Sequence, residues 1–321
     1  MSKPLVSVVM PTFNHAAYIG EAISSVLSQS YSDLELIIID NYSTDNTQRI
    51  VESFKDNRIR YFKFANNGII AASRNYGIRQ AKGAYVAFID SDDIWLKDKL
   101  QKQIEALEKN RDYQMAFCQF QAMDSNGALQ GGVFGPKVAK LEGFLYDRLI
   151  RCNFIVSSSV VVRKTVLDQV GHFNEAPKLR CVEDYDLWLR IAHRYQAVYV
   201  PGVWGRARIH PYNSNVVAER LQKALNVIDK QLLAGWATLP EVNRAKANFY
   251  FREGWCSIDR DKKLARSFFW KACALNAHNL RIILLSLLGV GISFFPFLYH
   301  RIRENALDRK MARTFLNSQN L

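Results

Sequence analysis

Three carboxylates lie close together directly after an apolar run of the chain. Residues 84–95 read AYVAFIDSDDIW, which places Asp90, Asp92 and Asp93 at the end of a predicted strand. Like charges at this spacing repel each other, so a cation among them would stabilise the group. Oxygen ligands of this kind suit Mg²⁺ or Mn²⁺, which typically bind together with a diphosphate. The alternative is an aspartate that caps a helix beginning near Leu96, because Asp is a favoured N-cap residue.

A second acidic group opens the segment EDYDLWLR at residues 183–190. A carboxylate here has the chemistry of a general base that deprotonates a hydroxyl group. On a helix, Glu183 and Asp184 would point about 100° apart, so both cannot reach one hydroxyl equally well. The alternative is an acidic first helical turn, which the helix dipole stabilises without any catalytic role.

The elements that position these acids follow from an alternation of apolar runs and amphipathic segments. This alternation predicts strands and helices in turn over the first 110 residues, with strands at 6–10, 34–39, 59–64 and 84–89 and helices at 16–28, 47–54, 69–80 and 97–109. The first strand is expected to end before Pro11. Such an order implies parallel strands joined by right-handed crossovers. Ligands of these sheets bind beyond the carboxyl ends of the strands, so Asp40 and Asp90 are expected to face one crevice.

The second half of the chain has a different pattern. Beyond residue 110 it becomes more β-like, with strands expected at 115–122 and 156–162, and from about residue 216 it is helical. A chain of 321 residues has room for two compact domains. We expect boundaries near residues 110 and 215.

The charge of the chain indicates which classes of partner it can bind. The formal net charge is +13, which favours polyanionic partners such as nucleic acid, acidic lipid or a phosphorylated substrate. Lysine and arginine become denser toward the C-terminus, and this gradient favours an anionic membrane surface over nucleic acid. The five scattered cysteines form no CxxC pair and the N-terminus lacks a signal-peptide pattern, so we expect a cytoplasmic protein with reduced thiols.

The order of five segments is more specific than any one of them. The segments are VSVVMPTFN at 6–14, LELIIIDNYSTDNT at 34–47, NGIIAASRNYG at 67–77, FIDSDD at 88–93 and EDYDLWLR at 183–190. In this order they resemble the inverting family 2 glycosyltransferases of GT-A fold, over roughly residues 5–215. The resemblance implies an α/β domain with a Rossmann-like, mostly parallel sheet. It also implies transfer of a single sugar from a nucleoside-diphosphate sugar to an acceptor hydroxyl, in cell-surface polysaccharide synthesis.

The resemblance implies donor contacts from the first four segments, namely from Pro11, Thr12, Asn14, Asp40, Asn67, Arg74 and Asp90. Asp40 would accept a hydrogen bond from an imino N–H of the base ring, which suits uracil or thymine, and uracil and hence UDP is favoured. Arg74 would approach the diphosphate, because an arginine fork matches phosphate oxygens. Asp90 would lie near the ribose. The alternatives are an Asx turn organised by Asp40 and a solvated helical arginine at position 74.

The same resemblance implies the remaining site residues. Asp92 would be the first ligand of Mn²⁺ or Mg²⁺, and His210 in RIHPYNS would complete the metal shell. Asp184 would be the catalytic base, with Glu183 as the second candidate. The alternative for His210 is a structural or surface histidine.

Two further residues are candidate substrate contacts. Arg208 is a candidate phosphate contact. Trp188 is a candidate for stacking on an acceptor sugar, with core packing as the alternative. By function, residues 1–110 would form the half that binds the nucleotide sugar, 111–215 the half that binds the acceptor, and 216–321 a helical C-terminal region.

An uncharged apolar segment occupies residues 282–299 of the C-terminal region. As a helix it would be about 27 Å long, close to the thickness of a hydrocarbon core. Gly289, Gly291 and Pro296 interrupt it, and basic residues flank both ends. An interfacial or re-entrant segment at the inner face of the membrane is therefore expected. The alternative is a buried helix of the C-terminal bundle. The family resemblance implies a saccharide acceptor that is lipid-linked.

Other functions fit the sequence less well. A sugar nucleotidyltransferase would normally show a glycine-rich phosphate loop near the N-terminus, and a dinucleotide-dependent oxidoreductase would show GxGxxG after the first strand. The segment VSVVMPTFN contains neither motif. A catalytically inactive membrane-bound scaffold of the same fold stays an alternative, although Asp90, Asp92 and Asp184 are costly acids for an inactive site.

Overall fold

The computed structural model describes residues 5–209, 217–258, 261–275 and 280–294. The chain divides into two compact units. The first unit comprises Met1–Leu145 and Phe154–Ser214, and the second comprises Tyr146–Asn153 and Asn215–Leu321.

The described residues of the first unit form one mixed sheet of ten strands. In chain order the strands are β1 (Val6–Thr12), β2 (Leu34–Asp40), β3 (Ile59–Lys63), β4 (Tyr85–Phe88), β5 (Ile94–Trp95), β6 (Tyr113–Met123), β7 (Leu129–Phe134), β8 (Glu142–Gly143), β9 (Val161–Arg163) and β10 (Gln196–Arg208). Their spatial order is β3-β2-β1-β4-β9-β6-β10-β5, with β7 paired to β6 and β8 to β10.

The direction of the strands confirms the predicted fold class. Strands β1 to β4 are parallel where they pair, as are β6 and β10. Strand β9 is antiparallel to both β4 and β6 and joins the two parallel sets. Every residue of β1 and β2 is buried, which is the pattern of parallel strands covered on both faces.

Helices connect these strands. Up to residue 194 they are α1 (Ile19–Leu27), α2 (Thr47–Ser53), α3 (Ile70–Gln80), α4 (Lys99–Lys109), α5 (Tyr146–Leu149), α6 (Lys164–Val170) and α7 (Glu183–Arg194), of which α5 lies in the second unit. Helix α3 packs closely on β1 because Gly77 has no side chain. A Cβ atom there would lie 2.4 Å from Cγ1 of Val9.

Two strand predictions need correction. Strand β1 continues through Pro11. The pairing of β1 with β4 ends earlier, at Val9 and Phe88. Because Pro11 faces β4 beyond that last pair, its missing N–H removes no hydrogen bond of the sheet. The strand predicted at 156–162 is instead a 3₁₀ turn at Ser157–Ser159 followed by the short strand β9.

The second unit is helical, as its pattern predicts. Besides α5 it contains α8 (Val217–Leu233), α9 (Leu239–Ser257), α10 (Lys262–Leu275) and α11 (Leu280–Phe294). The ring of Phe269 packs directly against Gly254 and Gly289, where added Cβ atoms would lie 2.7 and 2.5 Å from the ring. Gly289 therefore allows close packing and does not interrupt α11.

One face of α11 packs inward and the other is exposed. Ile282, Ser286 and Gly289 are buried, whereas the apolar side chains of Leu284, Leu287 and Leu288 are exposed. Among the described helices, none combines the length and the hydropathy that crossing a membrane requires. Residues 295–299 of the predicted apolar segment lie outside the described residues.

Candidate active site

The aspartate loop after β4 is held by its last acid. Asp93 is buried, and its carboxylate accepts hydrogen bonds from Ser158 Oγ at 2.6 Å and from the Arg208 N–H at 3.0 Å. Burial raises the pKa of Asp93 well above its ordinary value, and the charges of Asp92 and Asp90 raise it further. Asp93 therefore caps no helix, and α4 begins later, with Asp98 at its N-cap position.

Ser158 is a site residue that the sequence patterns do not indicate. Its hydroxyl accepts a hydrogen bond from the Asp90 N–H at 3.0 Å and donates one to Asp93. Its carbonyl accepts a hydrogen bond from Trp95 Nε1 at 2.8 Å. The available signal was the run of three serines at 157–159 within a predicted apolar strand, because buried hydroxyl groups need partners.

Arg74 joins the two acidic segments that the sequence places far apart. This buried guanidinium donates to Asp90 Oδ1 at 2.8 Å and to Glu183 Oε1 at 2.6 Å. Burial lowers the pKa of Arg74, but the charges of Asp90 and Glu183 more than offset this effect, so the side chain stays charged. It also lies 5.4 Å from the ring centre of Phe173. The segments FIDSDD and EDYDLWLR thus meet at one buried cation.

The two candidate bases have different surroundings. Glu183 is buried and paired with Arg74, whereas Asp184 is partly exposed in the first turn of α7. Burial, and then the charge of Glu183, raise the pKa of Asp184 to about 7. The Tyr185 N–H donates to Asp184 Oδ1 at 2.7 Å. Asp184 is therefore the acid of this pair that can take up a proton near neutral pH.

Asn14 ties the loop after β1 to the loop after β2. Its N–H donates to Ser43 Oγ at 2.9 Å, and its side-chain oxygen accepts from the Thr44 N–H at 2.8 Å. Next to it, His15 Nδ1 lies 2.7 Å from Ser91 Oγ in the aspartate loop. Three strand-end loops are thereby held together at the carboxyl edge of the sheet.

Asp40 lies at this edge but is completely buried. Its Oδ1 accepts from the Ser43 N–H at 2.8 Å and from Ser43 Oγ at 2.7 Å, and its Oδ2 accepts from the Tyr61 hydroxyl. These three hydrogen bonds fix the Asp40 carboxylate inside the protein, where it has no exposed surface. Pro11 and Thr12 are buried beside it in β1, and Thr12 Oγ1 has no hydrogen-bond partner among the described residues.

Left-handed backbone marks the loops of this edge. Asn14, Tyr42 and Asn67 have φ angles of 52°, 58° and 52°, and Cys181, just before α7, has 73°. Asparagine adopts this conformation readily, whereas Tyr and Cys seldom do, and such residues cluster at functional sites. Asn67, the predicted donor contact after β3, is one of the residues with this left-handed backbone.

Two predicted substrate contacts are contradicted by the structure. Trp188 is fully buried, with its ring 6.0 Å from that of Phe88 and 5.9 Å from that of Phe173, so it packs in the core and cannot stack on a sugar. The Arg208 guanidinium is enclosed, and all three of its nitrogens donate to protein oxygens. It is therefore not available to phosphate in this arrangement.

Aromatic side chains at the edge were not among the predicted contacts. Phe13 is 50% exposed and Tyr42 is 55% exposed, in the loops that follow β1 and β2. Their signal in the sequence was an aromatic residue three positions after the end of a predicted strand and within two positions of a predicted nucleotide contact. Exposed rings in such loops can stack on a planar base.

The metal prediction rests on Asp92. It is partly exposed in the aspartate loop, and no group of three or more possible metal ligands occurs among the described residues. His210 lies outside the described residues. One or two carboxylates with the phosphates of a substrate are a typical Mg²⁺ site, and the donor set of this loop fits that chemistry.

Comparisons with known proteins agree with this geometry. The chain is 34% identical over 191 residues to "UDP-Glc:alpha-D-GlcNAc-diphosphoundecaprenol beta-1,3-glucosyltransferase WfgD" of Escherichia coli, a match that covers 60% of this chain and 71% of WfgD. It shares its fold with the crystal structure of S. aureus TarS 1-349 in complex with UDP-GlcNAc, at a TM-score of 0.63 and 18% identity, covering 90% of each chain.

A second solved structure has the same fold. The mannosyltransferase PcManGT from Pyrobaculum calidifontis, in complex with GDP-Man and Mn²⁺, matches at a TM-score of 0.58 and 18% identity, covering 92% of this chain and 88% of that chain. The family model for glycosyl transferase family 2 matches residues 7–169, which include the aspartate loop and Arg74. Together with the paired acidic segments at one sheet edge, this match shows that the chain belongs to glycosyl transferase family 2.

Proposed function

We propose that this glycosyltransferase is metal-dependent and inverting, and that it moves a single sugar from a UDP-sugar to a hydroxyl of a lipid-linked saccharide. The main support is the bridge from Asp90 through Arg74 to Glu183. Asp184 lies next to this bridge and has a pKa of about 7. Surface polysaccharide synthesis is the setting that fits this acceptor. The N-terminal 110 residues would bind the donor and residues 111–215 the acceptor.

Asp184 is the proposed base. Inversion needs one base that deprotonates the acceptor hydroxyl opposite the leaving group, and the best base has a pKa near the working pH. Glu183 is the poorer candidate, because its buried carboxylate already binds Arg74. Glu183 then has the different role of fixing Arg74.

The donor nucleotide would bind at the loops after β1, β2 and β3. Phe13 and Tyr42 offer exposed rings to the base. Asp40 would accept from the imino N–H of uracil, which requires a nucleotide-bound arrangement in which this buried carboxylate becomes exposed. Asp90 would lie on the ribose side. A contact of Arg74 with the diphosphate would require its guanidinium to leave the bonds to Asp90 and Glu183. The name of WfgD supports UDP as the nucleotide, whereas GDP in the PcManGT complex is the alternative.

Asp92 is the proposed protein ligand of Mn²⁺ or Mg²⁺, with His210 as the second. The bound ion would neutralise charge on the leaving nucleoside diphosphate. Asp93 and Ser158 would hold the loop in the conformation in which Asp92 faces the diphosphate. The Mn²⁺ in the PcManGT complex supports this assignment.

The acceptor would reach the enzyme at the inner face of the cell membrane. Exposed leucines on α11 and the basic C-terminal half suit an anionic lipid surface. The diphosphoundecaprenol in the name of WfgD supports a lipid-linked acceptor. Peripheral association would keep the catalytic unit in the cytoplasm.

Titration calorimetry with UDP tests the donor and metal assignments. We expect Mn²⁺ to strengthen UDP binding to the wild type, Asp92→Ala to abolish this effect, and Asp98→Ala to retain it, because exposed Asp98 lies outside the site. Binding of GDP or dTDP in place of UDP would overturn only the choice of base. A wild type that binds none of the three nucleotides would favour the inactive scaffold.

A further inference from the structure

Arg208 connects the aspartate loop to two other segments of the first unit. Its Nε donates to the carbonyl oxygen of Asp92 at 3.0 Å. Its Nη1 donates to the carbonyls of Asp124 at 3.3 Å and Ser125 at 3.0 Å, in the turn between β6 and β7. Only 2% of the side chain is exposed, so these bonds are shielded from water.

The third nitrogen of Arg208 reaches helix α1. Nη2 donates to Glu21 Oε2 at 2.7 Å, and the guanidinium carbon lies 4.5 Å from the ring centre of Tyr18. Both contacts fix the plane of the guanidinium, because an ion pair and a stacked ring constrain it in different directions. The side chain is thus set before any ligand binds.

The main chain at Arg208 makes a second connection. Its N–H donates to Asp93 Oδ1 at 3.0 Å, and the next residue, Ile209, donates to the carbonyl of Met123 at 2.8 Å. His210 follows directly in the sequence. One residue therefore holds both the main chain of Asp92 and the side chain of Asp93, and it is the first residue of RIHPYNS.

We propose that Arg208 is a positioning residue for the metal site: it fixes the main chain at Asp92 so that the Asp92 carboxylate points toward the ion on the donor diphosphate. The inference rests on the proposed function. Arg208 does not contact phosphate in this role, because its nitrogens are already bonded to protein oxygens. A lysine cannot replace it, because one ammonium group cannot span acceptors on three segments.

Arg208→Lys tests this role, with Arg163→Lys as a matched control. Arg163 also donates to two carbonyls, those of Tyr113 and Leu107, pairs with Glu108 and lies over a tyrosine ring, 5.0 Å from that of Tyr85. It differs in making none of the contacts to the aspartate loop. Two affinities are measured for each variant: that of UDP without metal, by calorimetry, and that of Mn²⁺ for the protein saturated with UDP, by electron paramagnetic resonance.

We expect Arg208→Lys to weaken Mn²⁺ binding by about tenfold, as is usual when a group behind a metal ligand is lost, and to leave metal-free UDP binding unchanged. Arg163→Lys should change neither affinity. Glu21→Gln, which alters only an exposed partner of Arg208, should weaken Mn²⁺ binding in the same direction by a smaller factor. The Glu21→Gln variant still tests the proposal if Arg208→Lys does not fold.

Three results would overturn the proposal. Equal Mn²⁺ affinities for the two lysine variants would reduce Arg208 to a structural residue. Loss of metal-free UDP binding in Arg208→Lys alone would make Arg208 a nucleotide contact. Absence of any effect of Mn²⁺ on the binding of UDP, GDP or dTDP to the wild type would show instead that the metal dependence in the proposed function is wrong, and the inference would fall with it.

Discussion

At the scale of single residues, the site separates two neighbouring acids by their partners. Glu183 is paired with Arg74. Burial and the charge of Glu183 raise the pKa of Asp184 to about 7. The sequence motif places both acids at the start of one helix. Only the ion pair distinguishes the acid that holds Arg74 from the one that is left to exchange a proton during catalysis.

The pH dependence of kcat/KM should reflect the ionisation of Asp184. We expect kcat/KM of the wild type to fall as the pH decreases through about 7, because the base must be ionised to accept the hydroxyl proton. Asp184→Asn should lower kcat by about 10²- to 10⁴-fold, the usual contribution of a general base. A flat profile between pH 5.5 and 8 would contradict the assignment.

The same group links stability to pH. The pKa of Asp184 is higher in the folded protein than its ordinary value of 3.8, so the folded state binds more protons between about pH 4 and 7. Stability from this group is present at the acid end of that window and is lost as the pH rises through 7. Thermal melts should therefore show that Asp184→Asn gains stability relative to wild type on going from pH 5 to pH 8.

The Arg74 bridge should show strong coupling in a double-mutant cycle. Arg74→Met leaves Glu183 buried without a counter-charge, which should cost about 3 kcal/mol of unfolding free energy. Adding Glu183→Gln should recover part of that loss, because it removes the uncompensated charge. The exposed pair of Lys102 and Glu105 is the control, and Lys102→Met should cost at most about 1 kcal/mol in chemical denaturation.

At the scale of elements, a short turn rather than a strand supports the aspartate loop. The predicted strand at 156–162 has the right apolar pattern, but Ser157–Ser159 turn away from the sheet so that Ser158 reaches Asp90 and Asp93. The hydrogen-bonding needs of the Asp90 N–H and of the buried Asp93 carboxylate therefore override the local strand propensity of this segment.

Adjacent serines of this turn offer a matched comparison. Ser158→Ala leaves the Asp90 N–H and the Asp93 carboxylate without their partner, which should cost about 1 to 3 kcal/mol and lower the affinity for Mn²⁺. Ser157→Ala should be nearly neutral, because the buried Ser157 hydroxyl has no hydrogen-bond partner among the described residues. Equal losses of unfolding free energy in the two variants would contradict this account of the loop.

At the scale of the whole molecule, charge and apolar surface lie in the part of the chain that carries no predicted chemistry. The chain has a net charge of +13, and the exposed face of α11 consists of Leu284, Leu287 and Leu288. A basic protein with exposed leucines suits an anionic bilayer, because burial of apolar area and charge attraction act together.

Sedimentation with lipid vesicles tests this surface. Leu284→Gln/Leu288→Gln should reduce binding to phosphatidylglycerol vesicles and leave UDP binding, measured on the same protein, unchanged. Leu233→Gln is the control, because Leu233 is 87% exposed but lies at the end of α8. Binding of the wild type should also weaken at high salt, and equal binding to neutral vesicles would contradict a role for charge.

The sequence alone determined the order of elements and the edge of the sheet at which the site lies. Fully apolar runs alternating with amphipathic segments require buried parallel strands, and Asp40 and Asp90 follow two of those runs. Because parallel strands present their carboxyl ends on one side, local patterns were sufficient to bring the acidic motifs together.

The tertiary structure decided which of those residues can meet a substrate. Arg74 and Glu183 are 109 residues apart, and Arg208 and Asp92 are 116 residues apart, so no local pattern can reveal these pairs. Trp188 is on a helix that also carries the predicted base, yet its side of α7 faces Phe88 and Phe173. Periodicity records which side chains are apolar or charged, whereas the availability of a side chain to a ligand depends on partners that only the folded chain brings near.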